Sequence, residues 1–191
     1  MDFKPEVWPE DPVPEKFKHC KTCGLYKQGT RMVWGEGNPN APIMILLDNP
    51  GAREDRKGHP YVCGTRETLQ RAAHQAGLKK EDLYVTYVLK RRPIRAYDKP
   101  STRAICMETH LTWQLENQKP RLVFCLGNVA VQSFFKDPKA EIKTLRGVPH
   151  NIQGYPTFVA YHPLAVRRCP NLMSGFIEDW VAMARYIKSL R

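Results

Sequence analysis

Apolar residues along this chain come in two rhythms. Continuous runs such as Ile43-Met44-Ile45-Leu46-Leu47 and Leu122-Val123-Phe124-Cys125-Leu126 are bounded by turn residues. Runs of that length suit strands buried on both faces. Asp82 to Leu89 is rich in β-branched and aromatic residues, and Thr157 to Ala160 follows the same pattern, so both predict strands. Between the runs the apolar spacing becomes helical. Leu69, Ala72, Ala73 and Ala76 mark a helix over 65–76 that Gly77 ends. Ser101 predicts the cap of a helix reaching about Asn117, and Gly127-Asn128 opens another through Phe135. Phe176, Trp180, Met183 and Ile187 form one face of a terminal helix over about 175–190. Strands alternating with helices predict a parallel sheet covered on both faces, a three-layer α/β/α sandwich.

The first 18 residues are rich in Pro, Glu and Lys and read as an extended arm; residues 19–191 read as a single domain. With 191 residues, 42% of them hydrophobic, one sizeable core is expected. No apolar run approaches the ~20 residues of a membrane span, and the start lacks a signal-peptide pattern. A cytoplasmic protein without a membrane partner, acting as a monomer, is the expectation.

Charge adds a partner. Thirty basic against 19 acidic residues give a net charge of +11, which favours polyanions. Mere solubility would also account for the excess, but its placement is uneven. Lys90-Arg91-Arg92 with Arg95, and Arg167-Arg168, follow predicted strands or site loops.

The stretch that carries chemistry is Pro42 to Gly64, PIMILLDNPGAREDRKGHPYVCG. The strand stops at Asp48-Asn49-Pro50-Gly51, because proline offers no ladder N–H and glycine permits positive φ. A polar loop with Glu54 and an aromatic, Tyr61, follows. In a parallel sheet, Asp48-Asn49, Lys90–Arg92, Gly127-Asn128 and His162 share the carboxyl edge, where open α/β sheets bind ligands. A solvated strand-to-helix loop would show the same composition.

The order of these residues resembles the family-four uracil-DNA glycosylases. Pro50-Gly51-Ala52-Arg53-Glu54-Asp55 with Gly58-His59-Pro60-Tyr61-Val62 is similar to their first motif, Leu126-Gly127-Asn128-Val129-Ala130 to the motif after the third strand, and Arg146-Gly147 to a short Arg-Gly motif. Tyr161-His162-Pro163 resembles their last motif, with Leu164 in place of its serine. The resemblance implies a four-stranded parallel sheet between helices, and removal of uracil or another altered base from DNA. Flipping puts the base in a pocket, here formed by Gly51, Tyr61 as stacking ring, and Tyr87. His162 stands where a donor stabilises charge on the departing base. Asp48, Asn49 and Glu54 are candidates to hold the attacking water. Asn49 departs from family four and resembles the first motif of mismatch-specific uracil/thymine glycosylases. Tyr87 replaces the family's base-reading asparagine, so a DNA-binding relative with impaired catalysis is the alternative. Lys90, Arg92, Arg167 and Arg168 are expected on phosphates, and Leu164 as an apolar wedge.

The resemblance also implies an iron–sulfur cluster held by four cysteines. Cys20, Cys23 and Cys106 match three of them, but Arg91 stands at the other position. His110 lies four residues after Cys106 and could complete a three-cysteine, one-histidine set suited to zinc. The order of expectation is no metal, then zinc, then the cluster, because a guanidinium beside a ligand shell repels the cation.

Overall fold

The structure is a computed structural model that describes residues 3–56 and 62–190. Among these, β1 (Glu10–Asp11), β2 (Gly35–Gly37), β3 (Ile43–Leu47), β4 (Leu83–Tyr87), β5 (Leu122–Leu126), β6 (His150–Ile152) and β7 (Tyr155–Ala160) form one sheet. The helices are α1 (Ala52–Asp55), α2 (Gly64–Gln75), α3 (Lys99–Cys106), α4 (Thr112–Gln118), α5 (Asn128–Phe135), α6 (Ile142–Leu145), α7 (Pro163–Arg168) and α8 (Met173–Ser189).

Strand order is β1-β2-β4-β3-β5-β7-β6. The centre, β4-β3-β5-β7, is parallel, as the alternation of strands and helices requires. The sheet is larger than the four strands expected: β1 and β2 add antiparallel at one edge and β6 at the other. These additions span two or three residues, too few to show an apolar period. Gly35-Glu36-Gly37 would also be poor strand material on its own. It pairs because a Cβ at Gly35 would collide with the Tyr84 hydroxyl of the neighbouring strand, and glycine leaves that space open.

Alternation along β3 sorts the core. Ile43, Ile45 and Leu47 join Leu69, Phe176 and Trp180 on the face covered by α2 and α8. Met44 and Leu46 join Leu111, Leu115, Val131 and Phe134 on the face covered by α4 and α5. The helix expected from Ser101 begins earlier, with Asp98 at the N-cap position and Pro100 in the first turn. A π-helical turn, Met107–Leu111, joins α3 to α4. The arm lies against the domain: Trp8 is buried, and Glu6 and Gln70 exchange hydrogen bonds of 3.0 and 2.7 Å. Among the described residues no helix is long and apolar enough to cross a membrane.

Candidate active site

Parallel register brings the site together. Leu47 pairs with Tyr87 and Leu126 with Ala160, so the residues that follow emerge at one edge. Asp48 follows β3 there, and His162 is the second residue after β7, at the N-cap of α7. His162 Nε2 stands 3.3 Å from Asp48 Oδ1. The Leu164 N–H donates to His162 Nδ1 at 3.1 Å, so in the neutral ring the hydrogen resides on Nε2 and faces the carboxylate. The Asn49 N–H also donates to Asp48 Oδ1, at 2.8 Å. Burial would raise the Asp48 carboxyl, but its interactions with His162 and the Asn49 N–H outweigh it and hold the group below its ordinary value.

Gly127 was visible in the sequence only as part of a motif; its role is geometric. Its φ is +95°, and a Cβ there would sit 2.9 Å from His162 Cβ. The imidazole therefore rests on bare backbone at the start of α5, where a side chain would displace it.

Asn49 donates from its side-chain amide to Pro50 O at 2.9 Å, which shapes the turn. Glu54 lies over the next glycine, its Oε2 2.7 Å from where a Gly51 Cβ would be. Its other oxygen accepts from Cys63 Sγ at 3.4 Å and lies 3.8 Å from the Arg66 guanidinium. Arg66 is the residue that sequence reasoning missed. It is buried on α2, pairs with Glu36, and donates to the Tyr87 hydroxyl at 2.9 Å. The available signal was a charged residue three before Leu69 on the helix's apolar face. Tyr87 is 1% exposed and thus tied to this ionic cluster; burial pushes its phenol up and keeps it protonated. A cavity of about 310 Å³ beside the cluster is lined by Trp8, Arg31, Glu36, Glu54, Cys63 and Arg66, among others. Tyr61, expected as the stacking ring, lies outside the described residues.

The basic residues divide. Arg167 and Arg168 are exposed in the last turn of α7, and Leu164 is 39% exposed in its first turn. The Arg167 guanidinium lies against Gly64 at the start of α2. Arg92 is half-buried, and its carbonyl accepts from Thr30 Oγ1 at 2.8 Å. Lys90, expected on phosphate, is placed elsewhere. It is 1% exposed, and its Nζ donates to Thr86 Oγ1 (2.6 Å), Tyr87 O (2.8 Å) and Gln114 Oε1 (2.7 Å). A lysine just past a strand end can turn inward when buried acceptors converge on it, and no local pattern marks the distant Gln114 as one of them. Burial lowers its ammonium from 10.5 to about 7.

The expected metal ligands are not brought together as a shell. Among the described residues no group of three or more His, Cys, Asp or Glu is arranged to hold a metal ion. His110 is 2% exposed with its ring edge-on to Phe17 and Trp34, so aromatic packing claims it. Cys106 Sγ accepts from the Lys90 N–H at 3.4 Å, and burial pushes its thiol up to about 11. Cys20 and Cys23 are half-buried. Arg91 donates from its guanidinium to Thr30 O at the remaining family position. This donor set, three thiols and a guanidinium, does not fit a four-cysteine iron–sulfur cluster.

The carboxylate–imidazole pair thus stands beyond the carboxyl edge of a helix-covered parallel sheet, where such sheets bind ligands. The family described as the uracil DNA glycosylase superfamily matches residues 34–183, and the chain belongs to it. Among its relatives are proteins named type-4 uracil-DNA glycosylase. That of Archaeoglobus fulgidus is 31% identical, with 89% of each chain covered. That of Thermotoga maritima is 31% identical over 92% of this chain and 93% of its own. That of Saccharolobus solfataricus is 30% identical over 89% of this chain and 82% of its own.

Proposed function

We propose that this protein is a DNA glycosylase that hydrolyses the N-glycosidic bond of uracil, or of another deaminated base, flipped out of DNA. The observation that carries the reading is the His162–Asp48 pair, poised over Gly127 with the imidazole hydrogen on Nε2. The type-4 glycosylase relatives support uracil as the default base.

In this reading the bond between the sugar C1′ and the base nitrogen breaks, and its electron pair leaves with the base. His162 Nε2–H turns from Asp48 to the base's carbonyl oxygen and stabilises the growing negative charge. Asp48, kept ionised, faces the developing positive charge on the sugar. Water adds its oxygen to C1′ and gives up a proton, for which Asp48 is the nearest assigned acceptor; Asn49 and Glu54 are the candidates to orient that water. Gly51 is proposed at the base pocket, where its missing side chain makes room for the Glu54 carboxylate. Tyr61 is proposed to stack on the base, by resemblance alone. Tyr87, expected to read the base, is instead buried with its hydroxyl held by Arg66, and is proposed to back the pocket through that arginine without a paired donor and acceptor of its own.

Duplex and single-stranded oligonucleotides carrying uracil, hypoxanthine or xanthine, treated with alkali after incubation, test this. Cleavage is expected on at least one altered base and not on unmodified DNA. His162→Gln is expected to slow single-turnover cleavage by about 10²–10³-fold, the usual loss for one such donor. DNA binding with no cleavage of any base would overturn the enzymatic reading.

A further inference from the structure

The turn after α6 presents an apolar tip from a tightly held base. Gly147, Val148 and Pro149 are all exposed or nearly so, Val148 at 52%, and none carries a polar side chain. Gly147 has φ +83°, which lets the chain reverse there. His150 pins the two ends of the turn: its Nε2 stands 2.7 Å from Leu145 O. Arg146 anchors the near end. It donates to the buried Asp179 at 3.0 Å and to Gly175 O at 2.6 Å, both on α8. These two bonds tie the foot of the turn to α8, with Asp179 buried and Arg146 partly exposed.

The position of the turn is informative. β6 runs antiparallel to β7 with His150 opposite Thr157, so residues before His150 extend toward the carboxyl end of β7. The Arg146 guanidinium agrees with this, standing 5.8 Å from the Tyr161 ring, next to His162. The tip therefore shares the edge of the sheet with Leu164, exposed two residues after His162, and with the exposed Arg167 and Arg168.

From this placement we infer that Gly147-Val148-Pro149 is a second DNA-inserting tip, working beside Leu164 on the duplex around the flipped nucleotide. The inference rests on the reading that the chain acts on DNA. Apolar wedges of this kind, proline among them, unstack base steps and hold them apart. A single wedge can be bypassed by the duplex closing on its other side; two rigid tips flanking one opening prevent that. The net charge of +11 and the arginines of α7 identify a polyanion as the occupant of this edge. A purely apolar protein partner would leave those arginines without counter-charge.

The test is a duplex with 2-aminopurine beside the altered base, whose fluorescence rises when its stacking is lost. The full chain is expected to raise that fluorescence. Val148→Ser and Leu164→Ser should each remove part of the rise, and the double variant most of it, with thermal midpoints unchanged from wild type. Val148→Ser with the full wild-type rise would overturn the inference, as would DNA binding by wild type with no rise. Dimerisation that depends on Val148, with an unaltered fluorescence signal, would overturn it by assigning the tip to a second copy of the chain. Failure of the glycosylase reading looks different: no cleavage of single-stranded substrate, which needs no wedge, while the Val148-dependent fluorescence persists.

Discussion

Lys90 shows how much a single side chain's direction matters. Its ammonium is enclosed by Thr86, Tyr87 O and Gln114, and lies 5.4 Å from the centre of the Trp34 ring. Burial drops it from 10.5 in the ordinary state to about 7 in the fold. Between those values the unfolded chain keeps a proton that the folded chain has shed. Stability attributable to Lys90 therefore rises with pH across that window and is lowest below about pH 7. Lys90→Met is expected to remove the rise. Urea titrations from pH 6 to 10 should show the wild-type-minus-variant difference changing by up to about 1.4 kcal/mol per pH unit. Parallel curves would mean that the ammonium is as easily protonated inside as outside. His110 works in a lower window, since burial brings it from 6.5 to about 4: its contribution is complete above 6.5 and is lost as pH falls toward 4. Neither inward-facing group announced itself in the sequence. A lysine in a basic cluster and a histidine four after a cysteine read as surface and ligand because nothing local marks Gln114, Trp34 or Phe17 as their neighbours. Asp48 and His162 were legible because each closely follows its strand, and the register of the sheet does the rest.

At the scale of elements, the central strands and most helices were legible and the edges were not. Ile43–Leu47 and Leu122–Leu126 declare themselves by unbroken apolar runs, since both faces are covered. Gly35–Gly37 and Glu10–Asp11 have no such signature; what makes them strands is the neighbour already in place. The arm belongs with these. Trp8 is 7% exposed and packs in the same core cluster as Val33 and Leu83, and Phe17 stacks on Trp34 with ring centres 5.3 Å apart. Trp8→Ala is expected to lower unfolding free energy by about 3 kcal/mol, the scale of a large aromatic truncation in a core. Chemical denaturation with an unchanged midpoint would show the arm to be ornamental.

Across the whole molecule, positive charge and the site share an edge. Arg167 and Arg168 extend from the helix that His162 caps, so His162 and the side chains proposed to meet phosphate are set by one element. Arg167→Ala with Arg168→Ala should weaken binding to all DNA sequences alike. The slope of log K against log salt should shrink by about 1–2 units, since each phosphate that is no longer neutralised on duplex DNA takes away about 0.9. An unchanged slope in fluorescence-anisotropy titrations would remove both arginines from the interface.

The docked arm also has a consequence in time. Glu6 bonds to Gln70 and Lys80, and Asp11 to Tyr84, across sequence separations of 64, 74 and 73 residues. Residues 6–11 are synthesised long before those partners, and the ribosome adds only about 5–20 residues per second. Until they appear, Glu10 and Asp11 can meet only nearer partners, Arg31 and the short edge strand β2, which itself has no β4 to pair with. Docking must wait for β4 and α2, so the edge of the sheet that comes earliest in the chain is assembled late.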